Sequence, residues 1–250
     1  MSPLCYPEPM PAAPPQLIVL DTETTGLDPH GDRVIDIGAV RLGPDLEVQE
    51  RFVTLVDPGL PIPLYITRLV GITDGDVRGA PGFAEAFGAL VEFVGDAVLV
   101  GHNAAFDREH LAAGARRAGL GTLANDWFDT LEAALLLYPE LDRHALAILA
   151  AEFGIERRAH RALPDAETTA EVLRRLSARA AALGAAERRL LEAVHWAPLD
   201  LLDRFHVTPE EAPPALVADE PRGGAQGCQL TILPVQAGAW PGVGSLSGRW

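Results

Sequence analysis

Residues 17–29 read "LIVLDTETTGLDP", and two acids, Asp21 and Glu23, stand one residue apart where an apolar run ends. Leu17, Ile18, Val19 and Leu20 show no polar alternation, the pattern of a strand buried on both faces or of a helix interior. The Thr-Thr-Gly that follows favours the strand. Successive strand side chains point to opposite faces, so Asp21 and Glu23 share one. Neighbouring carboxylates raise each other's pKa unless a cation or a shared proton intervenes, and a divalent metal is the simplest such cation. An isolated Asp-x-Glu also has an ordinary role, with one acid capping a turn and the other solvated. A metal site therefore needs further acids.

Two later stretches supply them. In "VLVGHNAAFDREHL" (98–111) Asp107 lies just inside a helix that follows a strand, with Asn103 expected as its N-cap. A helix starting at a strand's carboxyl end faces the crevice where ligands bind in α/β sheets. In "ERRAHRALPDAETTAEVL" (156–173) Asp165 follows Pro164 and opens a helix, and His160 precedes it in an Arg-rich loop. A histidine held near carboxylates can accept a proton from an activated water near neutral pH. His144, in "DRHALAILAAEFG", is the rival base, but its place at the opening of an amphipathic helix suits a cap or a surface position. Singly, each residue again has a bland role: Asp107 compensates the helix macrodipole, and His102 and His160 are loop histidines.

The elements that must position these residues can be read from periodicity. After the strand at 17–21, "RVIDIGAVRL" (33–42) and "EVQERFVTLVD" (47–57) complete an antiparallel meander around the turn Gly43-Pro44-Asp45. A short helix is expected near 64–69, a longer one at 83–94, and a buried strand at 97–101. Helices follow at about 105–118, 130–137, 144–153 and 165–182, with a short strand at Trp127 and Phe128. Strands first, then alternating strand and helix, predict an α/β fold with a mixed sheet. The segment 185–206 reads as helical with a break at Pro198, packing on the domain or leading to a missing neighbour. Residues 1–16 read as a Pro-rich disordered leader and 207–250 as a Pro/Gly-rich disordered tail.

Composition narrows the classes. The chain has 250 residues, 48% of them hydrophobic, enough for one substantial domain with appendages. No stretch is long and apolar enough to span a membrane and the start lacks a secretory pattern, so no membrane partner and a cytoplasmic location are expected. Cys5 and Cys228 both sit in the flanks, which argues against a disulfide framework or a thiolate metal site. A net charge of −15 argues against broad coating of nucleic acid, which needs many basic contacts. It does not exclude an enzyme acting on a strand end.

Taken together, Asp21-Thr-Glu23-Thr-Thr-Gly26, His102-Asn103-x-x-Phe106-Asp107 and His160-x-x-x-x-Asp165 resemble, in order, the three motifs of the DnaQ-like (DEDDh) family of 3′ to 5′ exonucleases. That family includes the proofreading epsilon subunit of bacterial DNA polymerase III and exonuclease domains fused to polymerases or helicases. The resemblance covers about 17–182 and implies a ribonuclease H-like fold, a mixed five-stranded sheet flanked by helices, followed by a helical extension over 183–206. It implies that Asp21, Glu23 and Asp165 hold one Mg²⁺ or Mn²⁺, that Asp21 shares a second, and that Asp107 supports the second through water. It makes His160 the general base.

Around the terminal nucleotide the resemblance implies Thr24, Leu27, His102, Asn103 and Phe106, with Val70 standing where relatives often carry a His or Thr in a Leu-x-Gly-Ile-Thr loop. Arg157, Arg158 and Arg161 could reach phosphates. The expected reaction is release of nucleoside 5′-monophosphates from single-stranded DNA 3′ ends in proofreading or repair. RNA processing is the alternative, as is an interaction module within a larger polymerase or helicase. "QLTIL" (229–233) loosely resembles a sliding-clamp-binding peptide, and such a clamp or a polymerase subunit is the partner it suggests.

Overall fold

The computed structural model describes residues 15–156, 160–193, 198–202 and 205. Residues 1–14 of the expected leader, the tail with "QLTIL", both cysteines, and Arg157 and Arg158 lie outside the described residues.

Five strands form one mixed sheet: β1 (Leu17–Thr24), β2 (Val34–Leu42), β3 (Val48–Leu55), β4 (Val98–Gly101) and β5 (Trp127–Asp129), in the order β3-β2-β1-β4-β5. β1 to β3 pair antiparallel, while β4 runs parallel to β1 and β5 parallel to β4. The helices are α1 (Leu64–Val70), α2 (Phe83–Val94), α3 (Ala104–Arg117), α4 (Thr130–Leu137), α5 (Leu146–Glu152), α6 (Ala162–Ala181), α7 (Ala185–Ala193) and α8 (Pro198–Leu202). This is the α/β architecture that the alternating pattern predicts. No described helix is long and apolar enough to cross a membrane.

β1 is central, which is why Leu17 to Leu20 are apolar without alternation. Leu17 and Val19 face a cluster that includes Val40, Leu137, Leu149, Ala166, Ala170 and Leu173 beneath α4, α5 and α6. Ile18 and Leu20 face the other way, onto Phe87, Leu90 and Leu111 of α2 and α3. The same alternation carries past the apolar run. Asp21 and Glu23 continue the α6 face, and Thr22 and Thr24 continue the α3 face.

Several local expectations are corrected. α6 begins at Ala162, three residues before Asp165, so Asp165 lies within the first turn rather than at the helix start. Pro164 is tolerated there because first-turn N–H groups have no intrahelical acceptor to lose. His144 is neither cap nor surface: it is buried, and its Nε2 is 2.8 Å from the Tyr138 carbonyl at the end of α4. After residue 183, where the sequence left packing on the domain or a missing neighbour open, Leu199, Leu202 and Phe205 are buried in the same cluster as Leu17 and Val19.

Candidate active site

At the carboxyl end of β1, Asp21, Glu23 and Asp165 each offer an oxygen, and these oxygens lie within 4.8 Å of one another. Two residues of β2 make that convergence possible. Its residues opposite Asp21 and Glu23 are Gly38 and Asp36. A Cβ on Gly38 would sit 2.2 Å from the Leu163 backbone nitrogen, so only glycine lets the first turn of α6 lie this close to the sheet. Asp36, fully buried, accepts from Arg161 Nε at 2.8 Å and from the Ala162 backbone N–H at 3.3 Å. The helix start is thereby anchored to β2 beside its crossing over Gly38, and Asp165 is delivered to the two acids of β1.

Asp107 approaches from the opposite side. One of its oxygens accepts from the Thr22 backbone N–H at 2.8 Å and from Thr22 Oγ1 at 2.7 Å. Thr22 sits between Asp21 and Glu23, so this pair of bonds joins α3 to the acidic end of β1. Asp107 is not within the three-carboxylate group. It acts on that group electrostatically. Burial pushes the Asp21 carboxyl well above its ordinary range, and the charges of Asp107, Glu23, Asp165 and Asp36 push it in the same direction. Burial likewise pushes Asp107 up to about 7, against the lowering effect of the Thr22 donors. Three converging oxygens and a charge excess of this kind suit a hard divalent cation, which takes carboxylate ligands and relieves the repulsion.

His160 is exposed, with φ +63°, in the segment that leads into α6. The structure does not include it in the carboxylate group, and among the described residues it makes no hydrogen bond. Arg161, the next residue, ties it to Asp36 and to the start of α6.

The remaining sequence-predicted residues divide. Leu27 is 79% exposed beyond the end of β1, Asn103 is exposed and Phe106 is half-buried, its ring 4.2 Å from that of His110. Thr24 is buried and its hydroxyl donates to the Gly26 carbonyl. Val70 is buried with Ile62, Ile66, Ile72 and Val77 beneath α1, so its side chain fills a core instead of facing a ligand. His102 is 3.0 Å from Thr130 Oγ1 through Nδ1. The Thr130 hydroxyl gives its proton to the Gly101 carbonyl, so Nδ1 carries the hydrogen. Burial lowers the His102 pKa, which favours that neutral ring.

Asn103 occupies the N-cap position of α3 in a left-handed conformation, but its side chain caps nothing. Asp129 does that work from the end of β5. It accepts from the backbone N–H groups of Asn103 and Ala104 at 3.0 Å each, and from Leu131 at 2.8 Å. One carboxylate thus caps α3 and α4 together. Asp36 and Asp129 escaped the sequence reading. An acid inside the apolar "VIDIG" and the Asp-Thr-Leu-Glu helix start were visible signals, but what each touches depends on strand register and sheet order.

A model of the exonuclease family (RNase_T) matches residues 18–173, which spans both walls of this site. The chain belongs to that exonuclease family. Its relatives place it among the DnaQ-like 3′-5′ exonucleases: it is 42% identical over 160 residues to the PolC-type DNA polymerase III of Clostridium perfringens, and 39% identical over 176 residues to that of Halalkalibacterium halodurans. Those alignments cover 64% and 70% of this exonuclease chain but only 11% and 12% of the polymerases. Among solved structures, exonuclease X in complex with 5′ overhanging duplex DNA is similar over 63% of the chain and 88% of its own, with a TM-score of 0.52 and 26% identity. E. coli exonuclease I in complex with a 5cy-dT13 oligonucleotide shares the fold over 64% of the chain and 40% of its own, with a TM-score of 0.57 and 22% identity.

Proposed function

We propose that this exonuclease removes nucleotides one at a time from single-stranded DNA 3′ ends in a reaction that needs two divalent ions, Mg²⁺ or Mn²⁺. The observation that carries the reading is the convergence of Asp21, Glu23 and Asp165 within 4.8 Å at the end of β1. These residues would hold the ions with the support of Asp107. When bound, such ions stabilise charge on the attacking and departing oxygens of an in-line displacement.

The protein's own groups do the rest. His160 takes a proton from the attacking water, the water oxygen bonds to phosphorus, and the bond to the 3′ oxygen breaks. A nucleoside 5′-monophosphate leaves, and the departing 3′ oxygen takes a proton from solvent, so the shortened strand ends in a 3′ hydroxyl. The exposure of His160 supports this role, because a base must reach its water. Leu27, Asn103 and Phe106 offer contacts to the terminal nucleotide. Apolar and aromatic surface accepts any base, so little sequence preference is expected.

The polymerase relatives favour a place in DNA replication, with the 3′ ends supplied by a polymerase whose errors are removed. End-labelled single-stranded DNA and RNA, each with and without Mg²⁺, test the proposal. Mononucleotide release from DNA that stops on chelation is expected. Release without metal, or none from either strand, would overturn it.

A further inference from the structure

In a chain of net charge −15, two arginines meet at one turn without forming an ion pair among the described residues. Arg33, just before β2, and Arg117, the last residue of α3, converge on the turn at residues 28–33. Arg117 donates from Nη1 to the Pro29 carbonyl at 2.7 Å and from Nη2 to the Asp32 carbonyl at 3.1 Å. Arg33 Nη1 donates to the carbonyls of Gly31 at 2.7 Å and Asp32 at 3.0 Å. Carbonyl oxygens orient a guanidinium without cancelling its charge. Among the described residues neither arginine, nor the adjacent Arg116, forms an ion pair. Burial and the charges of Arg33 and Arg116 hold Arg117 below the usual arginine range.

The two arginines border a cleft of about 350 Å³ that is also lined by Val34, Pro58, Phe83 and Gly114. A Cβ on Gly114 would meet the Phe83 ring at 2.4 Å, so the glycine is what seats this half-buried ring against α3. The cleft's carboxylate, Asp57, already accepts from the Gly59 N–H at 2.9 Å. Fixed cations beside an aromatic ring match a nucleotide, whose phosphate takes charge-assisted hydrogen bonds and whose base has a flat face.

The turn that carries Arg33 is tied to the residues just past the acidic end of β1. The Thr25 N–H donates to the Arg33 carbonyl at 2.8 Å, and the Arg33 N–H to Thr25 Oγ1 at 2.9 Å, two residues past Glu23. Along α3, Asp107 and Arg117 are separated by about 15 Å at 1.5 Å per residue. That span corresponds to about four phosphates of a stacked strand at roughly 3.4 Å each. We propose that this cleft binds a nucleotide of the substrate strand several phosphates upstream of the scissile end, with Arg33 and Arg117 on its phosphate and Phe83 against its base. The proposal rests on the polynucleotide substrate argued above.

Substrate length separates this subsite from the catalytic end, because a dinucleotide cannot span the two. Arg117→Gln, Arg33→Gln and the charge-retaining Arg117→Lys would be assayed on a long oligothymidylate and on a dithymidine dinucleotide. Each Gln variant should raise KM for the long strand about tenfold, the loss of one charge-assisted contact, while kcat and dinucleotide turnover hold. Arg117→Lys should recover part of the loss. Binding of the long strand to the full chain in EDTA should lose about 0.7 from its logarithmic salt slope per Gln substitution. Equal KM increases on both substrates would show a displaced turn, and an unchanged KM and salt slope would show no contact; either overturns the subsite. Wild-type protein that binds with the predicted slopes yet releases nothing with Mg²⁺ overturns the exonuclease reading instead.

Discussion

Asp21 and Asp107 pay for the site's assembly when no cation is bound. A buried carboxyl whose folded pKa is raised binds a proton that the unfolded chain has already released. Below about pH 4 both states are protonated and the group has no effect on stability. As pH rises, the unfolded chain ionises first, so stability falls until the folded carboxyl ionises too. For Asp107 that window runs from its ordinary value of 3.8 to about 7. Metal-free protein should therefore lose thermal stability across this range, by a few kcal/mol, and Mg²⁺ at pH 7 should restore it. Asp107→Asn keeps an oxygen for the Thr22 donors and should flatten the profile. Melting temperatures of both proteins against pH, with EDTA or Mg²⁺, check this, and parallel profiles would show that Asp107 is not the titrating burden. The convergence of Asp21, Glu23 and Asp165 was legible because their types and order repeat a known pattern. Asp36 was not: its significance is that it faces Glu23 and holds Arg161, and both facts need the β1–β2 register.

At the level of elements, the site depends on how closely α6 lies against the sheet. β2 places a buried acid, then Gly38, on the same face, and the first turn of α6 crosses above the gap. Gly38→Ala would drive a methyl into the backbone of Leu163, which cannot swing aside as a side chain would. The helix must shift, carrying Asp165 away from Asp21 and Glu23. The expected cost is about 1–3 kcal/mol of stability, typical of overpacking, with a larger loss in Mg²⁺ affinity and turnover. Calorimetric titration with Mg²⁺ beside a thermal melt separates the two, and normal metal affinity in the variant would disprove the dependence. Every strand, and each helix through α6, was legible within a few residues, because apolar alternation and turn residues mark them strongly. The start of α6 was not, since a proline in a first turn looks like a boundary in sequence and costs nothing in the helix. The cap of α3 was missed for a different reason. Asn103 has the right type and place, yet Asp129 reaches the same N–H groups from a strand that folding brings alongside.

For the molecule as a whole, the family match ends at residue 173, but the core does not. Leu199, Leu202 and Phe205 are 4%, 2% and 7% exposed, and they join the cluster that supports β1 and the inner face of α6. Sequence alone left this segment undecided, because an amphipathic helix shows that it has an apolar face and not what covers it. Each such side chain contributes about 1.5–3 kcal/mol when buried. Three together rival a large part of the 5–15 kcal/mol that holds a typical domain together. A chain ending at residue 182 should therefore melt far below the full chain and expose apolar surface to a hydrophobic dye. One ending at 206 retains all three side chains and should melt well above the shorter chain, with a higher Mg²⁺ affinity. If the shorter chain proved as stable as the longer, α8 would be a passenger on α6. If it melts early, the folding unit of this exonuclease extends beyond the residues that carry its chemistry, because the helix delivering Asp165 needs a backing that the motifs do not encode.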